Sequence, residues 1–153
     1  MIIKAQIVPL LLEACPTAQR RWEEHLAYWK EEEAGAFNDV SVFAQHIIDS
    51  YTNRLTAECA SLFATVERIL EEGDEEARGI AGFGVLEDVQ TISTHHSFGP
   101  EVFVQWLGPK SREAWDQIDA LWREGGGSLA GVIRLERGAG AKRRLRQFWK
   151  RAV

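Results

Sequence analysis

The sequence predicts an all-helical domain followed by a separate basic tail. Apolar residues through the first 120 positions recur every three or four residues, and no segment alternates well enough to place a strand. Prolines and glycines punctuate the chain at intervals that suit helix starts and stops. The charge is split: residues 1–133 hold 10 Lys and Arg against 22 Asp and Glu, a net of −12, whereas residues 134–153 hold eight against one, a net of +7. These observations divide the chain into an acidic helical domain (1–124), a Gly-rich linker (125–131) and a basic amphipathic tail (132–153).

About seven helices are expected. The segment from Ile2 to Glu13 is the first, bent or shortened at Pro9. Pro16 fits the opening turn of the second, which carries Trp22, Leu26 and Trp29. Val40, Phe43, Ala44, Ile47, Ile48 and Tyr51 form the stripe of the third, with Asp39 or Ser41 as its cap. The fourth has the clearest period, Leu55, Cys59, Leu62, Val66 and Ile69, with Thr56 as cap and Gly73 as a left-handed terminator. Asp74 caps the fifth, Glu75 and Glu76 suit its positive end, and Ile80, Phe83, Val85, Leu86 and Val89 form its stripe. Glycines 79, 82 and 84 weaken that helix by roughly 1 kcal/mol each relative to Ala. They point to the close approach of a neighbouring helix rather than to a phosphate loop. Pro100 opens a short helix from Glu101 to Leu107, ended by Gly108, and Pro109 opens the last, with Trp115, Ile118 and Trp122 on one face. Short turns between consecutive helices imply an up-and-down bundle or a short stack of helical hairpins.

Two stretches carry a resemblance. One runs from Phe63-Ala64-Thr65-Val66-Glu67-Arg68 through Glu72-Gly73-Asp74 into Phe83-Gly84-Val85-Leu86-Glu87-Asp88-Val89-Gln90; the other is Leu107-Gly108-Pro109-Lys110-Ser111-Arg112-Glu113-Ala114-Trp115. With the helix around Trp22-Glu23-Glu24-His25-Leu26, they resemble a family of small bacterial helical proteins catalogued only as a domain of unknown function. The resemblance spans roughly residues 10–122. It implies an all-helical domain and leaves the tail from Gly125 outside the shared part. It implies no activity, cofactor or catalytic residue.

Composition narrows the function classes. Hydrophobic residues at 45% and charged residues at 27% are those of a globular chain. No apolar run reaches the ~18–20 residues of a membrane span, and the opening lacks the pattern of a signal peptide. Cys15 and Cys59 form no disulfide framework and no metal-ligand spacing, and read as small buried hydrophobes. The expected location is cytoplasmic. No Walker sequence, dinucleotide fingerprint or nucleophile elbow is present. His25, His46, His95 and His96 lack the i, i+4 spacing of a zinc helix; His46 has Asp49 three residues on. Glu87 and Asp88 lie in an apolar segment, and their adjacency leaves room for at most one to be buried. No catalytic residue, metal or cofactor is therefore expected.

The reading that remains is a non-enzymatic interaction module, immunity- or antitoxin-like in physical type. It would bind a basic protein through acidic residues such as Glu71, Glu72, Asp74, Glu75 and Glu76. The alternative is nucleic-acid binding through the tail, where Leu145, Phe148, Trp149 and Ala152 form an apolar face and Arg143, Arg144 and Arg146 flank it. The same tail also fits a solvated extension, docking onto the acidic body of its own or a second copy, or, least well, an anionic membrane surface. A second alternative is a small-molecule enzyme with an inter-helix pocket around His25, His46 or Glu87. The tryptophan pairs 22/29 and 115/122, each seven apart, line one helix face each and suit either core packing or an aromatic groove.

Overall fold

A computed structural model describes residues 1–123. The linker at 125–131, the tail at 132–153 and the tail residues Arg143, Arg144, Arg146, Phe148 and Trp149 lie outside the described residues. Seven α-helices follow one another: α1 (Lys4–Ala14), α2 (Gln19–Trp29), α3 (Ala36–Thr52), α4 (Cys59–Glu72), α5 (Glu75–Gly79), α6 (Glu87–Ser93) and α7 (Pro109–Arg123). A 3₁₀ turn at Pro16–Ala18 leads into α2, and a second at Pro100–Trp106 precedes α7. Among the described residues the fold is all-α, as the periodicities predict.

Within that class the arrangement is a central rod with a wrapping. α5 and α6 are joined without a break by a π-helical segment, Ile80–Leu86, and the backbone stays helical at both junctions. Every residue from Gly79 to Gln90 is buried. The π segment touches α3, α4 and α7 as well as its own flanks, so α3 packs chiefly on the rod rather than on its chain neighbour α4. Phe43, Ile47, Ile48, Leu62, Phe63, Val66, Ile69 and Phe103 are fully buried with Phe83 and Leu86 of the segment itself. Glycine explains the tight α3 contact. A Cβ on Gly84 would come within 2.5 Å of Val40 Cγ2, and Phe37 lies just beyond.

The rod also corrects one expectation. Glu87 and Asp88 are both buried, at 2% and 6% exposure. Adjacent residues on a surface helix diverge into core and solvent, but a helix enclosed on all sides offers no solvent face. Gln90 is buried with them, and its Nε2 donates to the Trp115 carbonyl at 3.0 Å, tying α6 to α7.

Helix boundaries reveal further differences. The helix at 36–52 begins after Gly35, ahead of both expected caps. α4 begins at Cys59, so Leu55 lies before it and is 69% exposed. Gly73 is extended (φ −75°, ψ 154°) rather than left-handed. Its place is set by the chain start: Ile2 N donates to the Glu72 carbonyl and Asp74 N to the Ile2 carbonyl, both at 2.9 Å, a parallel bridge across Gly73. Asp74 does cap α5, its Oδ1 accepting from Ala77 N at 2.8 Å.

The start of α7 is capped from another helix. Glu67 of α4 accepts from Lys110 N at 2.8 Å, Ser111 N at 2.7 Å and Ser111 Oγ at 2.6 Å. A carboxylate at a helix N-terminus satisfies orphan N–H groups and meets the positive end of the dipole. A Cβ on Gly108 would sit 2.5 Å from Glu67 Cδ, so glycine there is what lets the carboxylate in. Burial raises the pKa of Glu67, but the Ser111 and Lys110 hydrogen bonds outweigh it and hold the carboxyl below its ordinary 4.5.

Gly84→Val should destabilise the domain by about 1–3 kcal/mol through overpacking against Val40, read as a lower urea midpoint. Glu67→Gln should cost about 1–2 kcal/mol at pH 7. Because the folded pKa is depressed, the Glu67 contribution is present above 4.5 and lost as pH falls below it. The gap between wild type and Glu67→Gln in thermal melts should therefore shrink on acidification through that range.

Candidate functional site

The acidic residues named from sequence lie at the turn between α4 and α5. Glu72 pairs with Arg68 at 3.2 Å, Glu76 pairs with Lys4 at 3.3 Å, and Asp74 is engaged as the α5 cap. Glu75 is half-buried, and Glu71 is exposed. The turn therefore spends much of its charge within the fold.

Chemistry converges elsewhere, where α1, α3 and α4 meet. Cys15 ends α1, Thr17 lies in the 3₁₀ turn, His46 projects from the middle of α3, and Glu58 stands immediately before α4. Glu58 Oε2 accepts from Cys15 Sγ at 2.8 Å and from Thr17 Oγ1 at 2.5 Å, and its Oε1 accepts from Thr17 N at 3.3 Å. The Thr17 hydroxyl also meets His46 Nε2 at 2.8 Å. Three residues with metal-ligating side chains are thereby held together: Cys15, His46 and Glu58 present one sulfur, one ring nitrogen and one carboxylate oxygen within 4.8 Å of one another.

The protonation pattern follows from the contacts. Burial raises the pKa of Glu58, but hydrogen bonds from Cys15 and Thr17 more than offset it and favour the carboxylate. The Thr17 proton is given to Glu58, so toward His46 the hydroxyl oxygen accepts. Nε2 therefore carries the ring proton, and Nδ1 is left with a bare lone pair; it is buried and has no partner among the described residues. Burial, then the charge of Arg21, keeps His46 below its ordinary 6.5, so the ring is neutral. Burial and the neighbouring Glu58 push the Cys15 thiol up to about 12, and burial pushes Cys59 to about 11. As arranged, Cys15 is a protonated donor to a carboxylate, and His46 faces Thr17 instead of the thiol. That is not the geometry of a cysteine nucleophile.

Neighbouring pairs lock α2 onto α3. Asp49 binds Arg21 at 2.5 Å and Gln45 at 3.0 Å, so the expected His46–Asp49 pair is replaced. His25 Nε2 meets Asp39 Oδ1 at 2.8 Å, with the Trp22 ring stacked on His25 at 5.3 Å. Trp22 packs against the core and Trp29 lies half-buried beside His25. In the other tryptophan pair, Trp115 is buried and Trp122 is 38% exposed. Both line a groove of about 280 Å³ with Gln90, Thr91, Thr94, Pro100, Glu101 and Asp119. His25, His46 and Glu87 do not line it. Each tryptophan pair thus has an inner and an outer member.

The Cys15 cluster escaped sequence reasoning because its members come from three elements. His46 is 31 residues from Cys15 and 12 from Glu58, spacings that match no ligand motif. The available signal was Cys15 and Thr17 flanking Pro16, which places both on one tight turn.

Both thiols should resist a soluble disulfide reagent in the folded protein at pH 8 and react fully in denaturant, as absorbance of the released thiolate would record. Reaction of either at the rate of a free thiol would contradict the burial described.

No curated protein and no solved structure matches the chain. Residues 8–123 match a family model described as domain of unknown function (DUF7674). With three quarters of its length inside that match, the chain belongs to this family.

Proposed function

We propose that the protein is a non-enzymatic, cytoplasmic interaction module whose acidic helical body captures a basic protein partner. One observation carries this reading: the cations of the body are mostly spent internally, and the surplus carboxylates face solvent. Lys4, Arg20, Arg21, Arg68, Lys110, Arg112 and Arg123 each pair with an acidic residue. Glu13, Glu31, Glu32, Glu33, Glu71 and Glu101 are exposed, and their carboxylates make no hydrogen bond or ion pair among the described residues. Surface charge of one sign steers an oppositely charged partner and raises its association rate.

The strongest concentration lies just beyond α2. Glu31–Glu33 follow Lys30, which caps the end of the helix, and Leu26 and Tyr28 on the helix are 49% and 80% exposed. Two exposed apolar side chains beside an acidic run suit a partner surface that mixes apolar residues with Lys and Arg. An immunity- or antitoxin-like protein that masks a basic effector has these requirements. Two buried free cysteines suit a reducing compartment.

The test is affinity capture from the native host at about 0.15 M salt. A basic protein should be retained, its capture falling steeply at higher salt. Reversing Glu31, Glu32 and Glu33 to Lys should weaken capture at least about tenfold, with far-ultraviolet circular dichroism unchanged. Recovery of no partner, or equal recovery by the reversed variant, would overturn the proposal.

A further inference from the structure

We propose that Cys15, His46 and Glu58 form a binding site for a divalent transition-metal ion of the zinc type. The inference is independent of the acidic surface and rests on the convergence of α1, α3 and α4. A thiol sulfur, an imidazole nitrogen and a carboxylate oxygen lie within 4.8 Å of one another. Zinc binds these three donor types at about 2.0–2.3 Å, which puts tetrahedral ligand atoms roughly 3.3–3.7 Å apart. Forming the site needs side-chain shifts of about an ångström: the widest separation closes, and the 2.8 Å Cys15–Glu58 contact opens.

The donor set selects the metal class. One sulfur and one nitrogen exclude magnesium and calcium, which take oxygen ligands, and favour zinc, cobalt or nickel. Three protein ligands leave a fourth position for water. The Thr17 hydroxyl, 2.8 Å from His46 Nε2 and 2.5 Å from Glu58 Oε2, gives up its contact with the ring when Nε2 ligates and can keep its bond to the carboxylate. Access comes from the same side, since Thr17 is exposed while Cys15 is fully buried.

A second observation points the same way. The buried His46 Nδ1 has no hydrogen-bond partner among the described residues. Buried polar atoms are nearly always satisfied, and an orphan calls for an explanation. A neutral imidazole carries one lone pair, and moving the ring proton from Nε2 to the unpartnered Nδ1 presents that pair from Nε2, the nitrogen that meets Thr17, to an ion shared with the carboxylate and the thiol.

Proton balance is simple. Glu58 enters as the carboxylate and His46 as the neutral ring. The Cys15 S–H bond breaks as the sulfur–metal bond forms, and one proton leaves to solvent for each ion bound. The thiol that burial renders inert becomes a thiolate only against the dication, whose charge inverts the local field.

The experiment uses the full chain, stripped with a chelator and titrated with Co²⁺. The expected result is one ion per chain, a thiolate-to-cobalt charge-transfer band in the near ultraviolet, and displacement of both by Zn²⁺. Calorimetry in two buffers of different ionisation enthalpy should report release of about one proton. Tm should rise with Zn²⁺ concentration. Cys15→Ser should abolish the band, and His46→Gln and Glu58→Gln should each weaken Zn²⁺ binding by at least about 10–100-fold, while Cys59→Ser leaves it intact. If Cys15→Ser fails to fold, His46→Gln, a half-buried position, decides through band and affinity together. Absence of the charge-transfer band in the folded wild-type chain, its survival in Cys15→Ser, or an unchanged Zn²⁺ affinity in His46→Gln overturns the site.

Discussion

The fold depends on one steric constraint: a helical rod joining α5 to α6 that is enclosed on all sides from Gly79 to Gln90. A helix in that position cannot segregate polar from apolar faces, so its sequence must suit each neighbour in turn. The glycine at 84 admits α3 at backbone distance, and the large apolar residues Ile80, Phe83, Val85, Leu86 and Val89 fill the remaining directions. Full burial of each large side chain stabilises by about 1.5–3 kcal/mol, which helps offset placing Glu87, Asp88 and Gln90 in the same interior. The outer helices need only one good face each, and α2, with no fully buried residue, has the weakest.

Polar interactions then fix what apolar packing leaves loose. Glu67 couples α4 to the start of α7, Gln90 couples α6 to its middle, and Glu58 gathers the end of α1 onto the start of α4. Each is a side chain reaching a distant backbone or a distant side chain. The Cys15–His46–Glu58 cluster is the densest of these junctions. It combines structural hydrogen bonding with donor chemistry that a metal ion would use.

Much of this was legible in the sequence, for identifiable reasons. A three-to-four period needs only local information, so the stripes of α3, α4 and α7 and the Asp74 cap were readable directly. The glycines around 84 announced a close approach because nothing else explains them in a helix. The burial of both Glu87 and Asp88 was not readable, since it depends on how many neighbours surround the rod. Nor was the meeting of Cys15 with His46 and Glu58, because ligand spacing in sequence carries meaning only when the ligands share one element. Gly73 misled through an over-general rule: its extended backbone serves the bridge to Ile2, not a helix terminator.

The π segment has a consequence for how this chain can vary. Hydrogen bonds that reach five residues along the chain, in place of four, accommodate about one more residue between α5 and α6 than a regular helix would need. Removing a single residue from Ile80–Leu86 would let the rod relax to ordinary pitch, yet it would rotate everything downstream by about 100°. Gln90 would swing away from α7, and the two interior acids would face new walls. The wide turn therefore acts as a phase-setter, and a change of length in this chain is better absorbed in its loops than inside this rod.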